Sequence, residues 1–226
     1  ELNKIKGIEW IRFLYSYPEG ITDELIQTVA TTPKIAKYFD IPIQHISNPV
    51  LKRMNRRTSK EQIEELIQKI RNQIPEVTLR TSLIVGFPGE TKEQFKELEE
   101  FVATAKFDKL GVFMYSKEDG TPAARLPEQI HGNTKKARYR KIMQIQQKNS
   151  QQNLKKWLGK KCKVLIENIS FDGKFFIGRT MQDVPDMDGL VFIQNEKENA
   201  QELINQFTEA QIIDTKEYDL IAKLVN

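Results

Sequence analysis

The sequence predicts an α/β chain in which βα units build a parallel sheet and a small all-β barrel follows. Three observations predict it. Strand-like and helix-like segments alternate four times before residue 116, joined by short Gly/Pro loops, which is the pattern of βα units. Two helix starts carry capping boxes, Ser59-Lys-Glu-Gln62 and Thr91-Lys-Glu-Gln94. After Gly159 the hydrophobic period falls to two, with turns at Asp172-Gly173 and Asp188-Gly189, as in short antiparallel strands.

The elements follow in order. Trp10–Tyr15 is a β-rich run and supplies the expected first strand. Thr22 caps a helix, with Ile21 placed to staple against Ile26. Tyr38–Gln44 is the second strand. The box at Ser59 starts a helix with Ile63, Leu66, Ile67, Ile70 and Ile74 on one face. Val77–Val85 is the third strand, and the helix from Thr91 sets Phe95, Leu98, Val102 and Ala105 at helical spacing. Leu110–Tyr115 is the fourth strand. With right-handed crossovers, such a sheet opens into a doubly wound layer or curls into part of a barrel, and periodicity leaves both open. A long helix is expected from about Asn133 to Lys156, with Tyr139, Ile142, Met143 and Ile145 inward. Cys162–Ile169, Phe175–Thr180, Leu190–Ile193, Ile212–Asp214 and Tyr218–Val225 then form a five-stranded barrel, a common binding module. Two domains are expected, 1–156 and 157–226.

Composition excludes several classes. Hydrophobic residues at 39% and charged residues at 29% describe a globular chain rather than a disordered one. No apolar run approaches the roughly 20 residues that span a bilayer, so no membrane partner is expected. The single cysteine, Cys162, excludes an internal disulfide framework, and with no signal peptide the expected location is cytoplasmic. The chain starts at Glu1 without a methionine, and Leu2, Ile5 and Ile8 read as the tail of a helix. It is therefore expected to be part of something longer. Charge is uneven: residues 129–166 hold eleven Lys or Arg and no acid, while residues 183–226 hold ten acids and three bases. Two surfaces that meet partners of opposite sign are expected.

In a parallel sheet the carboxyl ends of the strands gather at one mouth, where α/β sheets hold ligands. These ends are loaded with Ser16–Gly20, then Gln44, His45 and Ser47, then Gly86-Phe-Pro-Gly-Glu90, then Met114, Tyr115 and Ser116. The third is the most informative. An apolar run stops at Gly86, turns through Pro88 and Gly89, and passes into a helix at Thr91, which is expected to put backbone N–H groups at the sheet edge. No metal-ligand cluster, Ser/His/Asp set, G-x-G-x-x-G or P-loop accompanies them. Amides, hydroxyls and aromatic faces grip a small polar molecule but do not break bonds, so any catalysis comes from a cofactor. Plainer readings stand beside this one: a packed His45, glycines that only turn, Cys162 as barrel filler, and a solvated basic helix.

The segments Asp40-Ile-Pro-Ile-Gln-His-Ile-Ser47, Val50-Leu-Lys-Arg-Met-Asn-Arg-Arg57, Ile84-Val-Gly-Phe-Pro-Gly-Glu90, Gly111-Val-Phe-Met-Tyr-Ser116 and Gly120-Thr-Pro-Ala-Ala124 closely resemble radical S-adenosylmethionine (SAM) methylthiotransferases. Pro42–Ser47 and Tyr17–Asp23 resemble the branch called RimO, which modifies an aspartate of ribosomal protein S twelve at its β-carbon. The tRNA-modifying branch usually shows Gln-Ser-Gly-Ser where this chain has Gln44-His-Ile-Ser47. The resemblance covers essentially the whole chain. It implies a partial (β/α)6 radical SAM barrel, strands three to six, followed by a TRAM domain. It also implies a SAM site. Ile84, Gly86, Phe87, Pro88 and Glu90 would lie against the adenine, with Met114 and Tyr115 beside it. Gln44 and Ser47 would sit near the ribose and methionine, and Arg56 or Arg57 would face the methionine carboxylate. No residue of this chain takes a catalytic or metal-binding role.

One departure is large. The family holds its radical [4Fe-4S] cluster with a C-x-x-x-C-x-x-C loop and a second cluster with cysteines of an amino-terminal domain, whereas this chain has one cysteine. The clusters are therefore expected in the full-length parent, and the chain alone is expected to be inactive. The acidic end, with Asp183, Asp186 and Asp188, suits a basic ribosomal protein. The basic helix keeps ribosomal RNA or tRNA open as a partner, and with it tRNA-adenosine methylthiolation. A non-catalytic binding module is the third reading. Without two upstream strands, Trp10–Tyr15 is expected to be an unpaired edge that lowers solubility.

Overall fold

The computed structural model describes residues 1–195 and 200–225. The chain divides into two compact units, Glu1–Gln146 and Gln147–Asn226. In the first, strands β1 (Tyr38–Asp40), β2 (Thr78–Val85) and β3 (Lys109–Met114) pair in that order, all parallel. The helices are α1 (Asp23–Thr31), α2 (Asn48–Arg53), α3 (Lys60–Gln73), α4 (Lys92–Ala105) and α5 (Gly132–Leu154), whose residues after Gln146 fall in the second unit. Local chemistry starts three of them. Thr22 accepts the Leu25 N–H at 3.2 Å, and Ser59 and Thr91 close full capping boxes with Gln62 and Gln94. Each such cap contributes about 1 kcal/mol.

The two faces of the sheet differ. Leu79, Leu83, Val85 and Val112 enter a core with Ile63, Ile67 and Ile70 of α3 and Leu98 and Val102 of α4. The opposite face carries Arg80, Ser82 and Ile84, in register with Lys109, Gly111 and Phe113. Asp40, next in the row, pairs with Arg80 at 2.8 Å. A polar row on one face and an apolar core on the other fit the wall of a partial βα barrel, of which these three parallel strands form an open sheet.

The expected first strand does not form. Trp10–Tyr15 contains one isolated bridge, Ile11 to Ile35. Two features stop a ladder there. The Tyr38 N–H turns back onto Ala36 O at 2.7 Å, and Tyr15 adopts φ 58°, which sends the Tyr15 and Ser16 N–H groups onto Asp40. The sheet therefore has three strands, and this segment is tied at its ends to residues 34–40 instead of extending the ladder. The second strand is also shorter than expected, because Pro42 has no N–H to give. The Thr81 hydroxyl fills the gap, donating to Ile41 O at 2.8 Å and accepting from the Ile43 N–H at 3.4 Å. Pairing resumes with Gln44 opposite Leu83, after one extra residue on the chain that follows β1. That is a bulge, a device that re-aims the residues after it.

The second unit is a closed barrel of β4 (Lys161–Ile169), β5 (Phe175–Thr180), β6 (Val191–Gln194), β7 (Phe207–Thr215) and β8 (Leu220–Leu224), in the order β4-β5-β6-β8-β7. Val164, Ile166, Phe176, Val191, Ile193, Ala210, Ile212 and Ala222 fill it. β7 begins at Phe207 rather than the expected Ile212, because Thr208 and Ala210 at its inward positions carry too little apolar bulk to mark a strand.

Candidate functional site

Three strand ends meet at one edge of the first unit. The Gln44 N–H donates to Ser82 O at 2.9 Å, the Ile84 N–H to Gln44 O at 2.8 Å, and the Tyr115 N–H to Val85 O at 2.9 Å. Gln44 thus lies opposite Leu83, and Tyr115 follows the Val85–Met114 pair beside Gly86, so the three strands end toward one edge. Gln44 holds φ 69°, and the His45 N–H reaches Ile43 O at 2.9 Å, closing a three-residue turn. A left-handed φ on a non-glycine residue costs about 1–3 kcal/mol and clusters at functional sites.

The Gly86–Glu90 turn is held from within. Gly86 and Gly89 take φ 72° and 74°. A side chain on Gly86 would overlap the Lys135 stem. Glu90 is 2% exposed and folds back so that its Oε2 accepts the Gly86 N–H. The same oxygen lies 3.1 Å from Arg138 Nη1, which also donates to Glu90 O at 3.0 Å. The Gly89 N–H goes to Glu128 O and the Glu90 N–H to Phe87 O, both at 3.0 Å. Three of the turn's four amides, those of Gly86, Gly89 and Glu90, are therefore engaged by the protein, the first by the turn's own carboxylate. Carbonyls and side-chain faces remain for a ligand.

Around this turn the Phe87 and Tyr115 rings meet edge to face at 5.2 Å, and the Tyr115 hydroxyl is buried without a partner. Lys135 donates to Tyr115 O at 2.8 Å and lies over its ring at 4.9 Å. His45 is fully buried. Its Nδ1 accepts the Ser47 N–H at 3.0 Å, and its Nε2 faces Glu90 Oε1 at 3.6 Å. Burial opposes ionisation of Glu97, but the hydrogen bonds from Lys60 and Ser47 outweigh it and hold its carboxyl below the usual range.

Of the expected residues, Gln44, Ile84, Gly86, Phe87 and Tyr115 come together, with Pro88 and Glu90 buried in the turn. Ser47 is buried behind His45. Met114 is 43% exposed and shares the strand face of Leu110 and Val112, opposite Ile84. Arg56 donates to Pro42 O and stacks over Tyr17 at 5.1 Å, while Arg57 is exposed. Sequence reasoning missed Lys135 and Arg138, which sit three apart on one face of α5 and enter the site. Their one sequence signal was the acid-free run, whose other members on α5, Lys136, Arg140, Lys141 and Lys148, are exposed.

Comparison with known proteins gives the family. Residues 1–102 match the Radical SAM superfamily and residues 158–225 match the TRAM domain. The ribosomal protein uS12 methylthiotransferase RimO of Alkaliphilus oremlandii is 59% identical over 99% of this chain and 51% of its own length. Its namesakes in Clostridium novyi and Geobacter sulfurreducens are 52% and 46% identical over 98% and 100% of the chain, and 49% and 50% of their own lengths. The chain belongs to the radical SAM methylthiotransferase family, in its RimO branch. It spans about half the length of the curated relatives it matches.

In this RimO-branch chain the TRAM surface is mixed. Asp186, Glu202, Glu209, Asp214 and Glu217 are exposed, whereas the carboxylates of Asp183, Asp188 and Asp219 accept backbone N–H groups of Thr180, Val184 and Leu190. Glu196 and Glu198 lie outside the described residues. Three TRAM aromatics are covered by the protein's own lysines, Trp157 by Lys160, Phe192 by Lys216 and Phe207 by Lys163. Among the described residues no helix is long and apolar enough to cross a membrane.

Proposed function

We propose that this chain supplies the SAM site and the substrate-docking barrel of a cytoplasmic radical methylthiotransferase. In the full-length parent, the enzyme inserts a methylthio group at the β-carbon of an aspartate of ribosomal protein uS12. The observation that carries this reading is the junction of Gln44, the Gly86–Glu90 turn and Tyr115 at one sheet edge, in a chain 59% identical to a uS12 methylthiotransferase. The side chains suit the cofactor. Phe87 and Tyr115 offer aromatic faces to adenine, and the orphaned Tyr115 hydroxyl offers a polar contact. Gln44, Ser47, Ile84, Pro88, Met114 and Arg56 complete the proposed set, with Arg56 near the methionine carboxylate. Glu90 acts through the Gly86 amide it holds.

Bound there, SAM supplies the radical and methyl chemistry. This chain's residues orient it and shield it from water. A [4Fe-4S] cluster needs several thiolates, and the one thiol here, Cys162 at the head of β4, is pushed up to about 11, chiefly by burial. It does not fit a cluster ligand, so the clusters belong to the rest of the parent and the chain alone is inactive.

Docking of the basic uS12 protein on the exposed TRAM carboxylates is the favoured partner reading. The exposed Lys136, Arg140, Lys141 and Lys148 of α5 favour a nucleic acid as the alternative. Calorimetric titration of SAM into the chain and into Gly86→Val tests the site. Saturable heat that the variant loses supports it, and no heat from the parent chain refutes it. Titration with uS12 and with tRNA at two salt concentrations separates the partners.

A further inference from the structure

We infer that His45, Glu90 and Arg138 form a positioning network, and that ligand seating closes the one gap in it, between His45 and Glu90. This inference rests on the cofactor reading above. Because His45 Nδ1 accepts the Ser47 N–H, the ring proton sits on Nε2 and points at Glu90. Nε2 and Oε1 are both fully buried, 3.6 Å apart, and neither has another partner. Buried polar groups left this way are costly, and about 0.6 Å of approach would make a charge-assisted bond.

The rest of the network is already closed. Lys60 holds Glu97 at 2.9 Å, the Ser47 hydroxyl acts on the same carboxylate, and the Ser47 N–H holds His45 at 3.0 Å. On the other side Glu90 holds Arg138 and the Gly86 amide. The single break therefore lies between the Gln44 turn and the Gly86 turn, the two segments that flank the proposed ligand. The turn beside it is the strained one, with Gln44 at φ 69°. A ligand touching both turns draws them together, and the new His45–Glu90 bond rewards that movement. Small shifts of this kind favour one of two packed arrangements. His45, Glu90 and Arg138 touch no reacting atom, so they position the turns and are not catalytic residues.

The test uses the nitrogen-15-labelled chain, whose two histidines make the ring signals separable. Millimolar SAM is expected to shift the Gly86 and Tyr115 amides and, with them, the His45 Nε2–H signal, which moves downfield and exchanges more slowly. Gly86 and Tyr115 responding while His45 stays still overturns this inference alone. No response from any of the three overturns the cofactor reading and this inference together. Two variants add a second readout. His45→Asn keeps an acceptor for Ser47 but loses the donor toward Glu90, and His45→Gln does the reverse. His45→Asn is expected to weaken SAM binding about tenfold, while His45→Gln stays within about threefold of the parent chain. Equal loss in both variants overturns the assignment to Glu90.

Discussion

Replacing Arg138 with methionine removes the guanidinium and keeps a stem long enough to lie against Phe95, over which Arg138 now sits at 5.2 Å. The Glu90 carboxylate, 0% exposed, keeps the Gly86 N–H but loses its cation. Breaking a buried pair from one side costs about 3–5 kcal/mol. Losing the 3.0 Å bond to Glu90 O adds about 1 kcal/mol. A loss of about 4–6 kcal/mol is large against the roughly 5–15 kcal/mol of a typical domain, and at about 2–4 °C per kcal/mol it lowers the melting temperature by roughly 8–24 °C. Trp10 and Trp157 fall one in each unit, so Trp10 fluorescence in a Trp157→Phe background reports the first unit alone. Adding Glu90→Gln removes the stranded charge and is expected to recover at least half of the loss. A single variant melting within about 2 °C of its parent, or a double variant no more stable than the single, would refute the reasoning.

Three further outcomes are expected. Gly86→Ala puts a side chain at φ 72° and into the Lys135 stem, which costs about 1–2 kcal/mol for the backbone alone, and adding Lys135→Ala should relieve only the steric part, as urea melts can separate. Gly178→Ala would drive a methyl group into Leu165 O, a backbone atom that cannot yield, and should lower the Trp157-reported transition while leaving that of Trp10 in place. Cys162, raised from 9.0 to about 11, should hold roughly a hundredfold less thiolate at pH 8 than an unfolded thiol, seen as slow labelling by a disulfide reagent that speeds up in urea. Because folding favours its neutral form, stability is unaffected below pH 9.0 and falls as pH rises from there toward 11, a slope that Cys162→Ala should remove.

Features decided within a few residues were legible in the chain itself. The capping boxes at Ser59 and Thr91 span three residues each, and both formed as their letters specify. The five-stranded barrel was legible because alternation and Asp-Gly turns are local, and it faltered only where Ala210 and Thr208 blunted the pattern in β7. The order of the strand ends was legible too, since Gln44, Gly86 and Tyr115 each close an apolar run, and the structure brings the three to one sheet edge. Trp10–Tyr15 shows the limit. Its composition favours a strand, but a strand is a pairing, and the neighbour's Tyr38 amide had been turned onto Ala36. Only the tertiary structure put Gln44 in a left-handed turn, aimed the Gly86 amide at Glu90, and brought Arg138 across 48 residues to hold that carboxylate. On a basic helix nothing local separates an arginine that reaches solvent from one that reaches a buried acid. Folding separates them, because an acid removed from water needs a cation beside it, and the packing of α5 determines which one arrives.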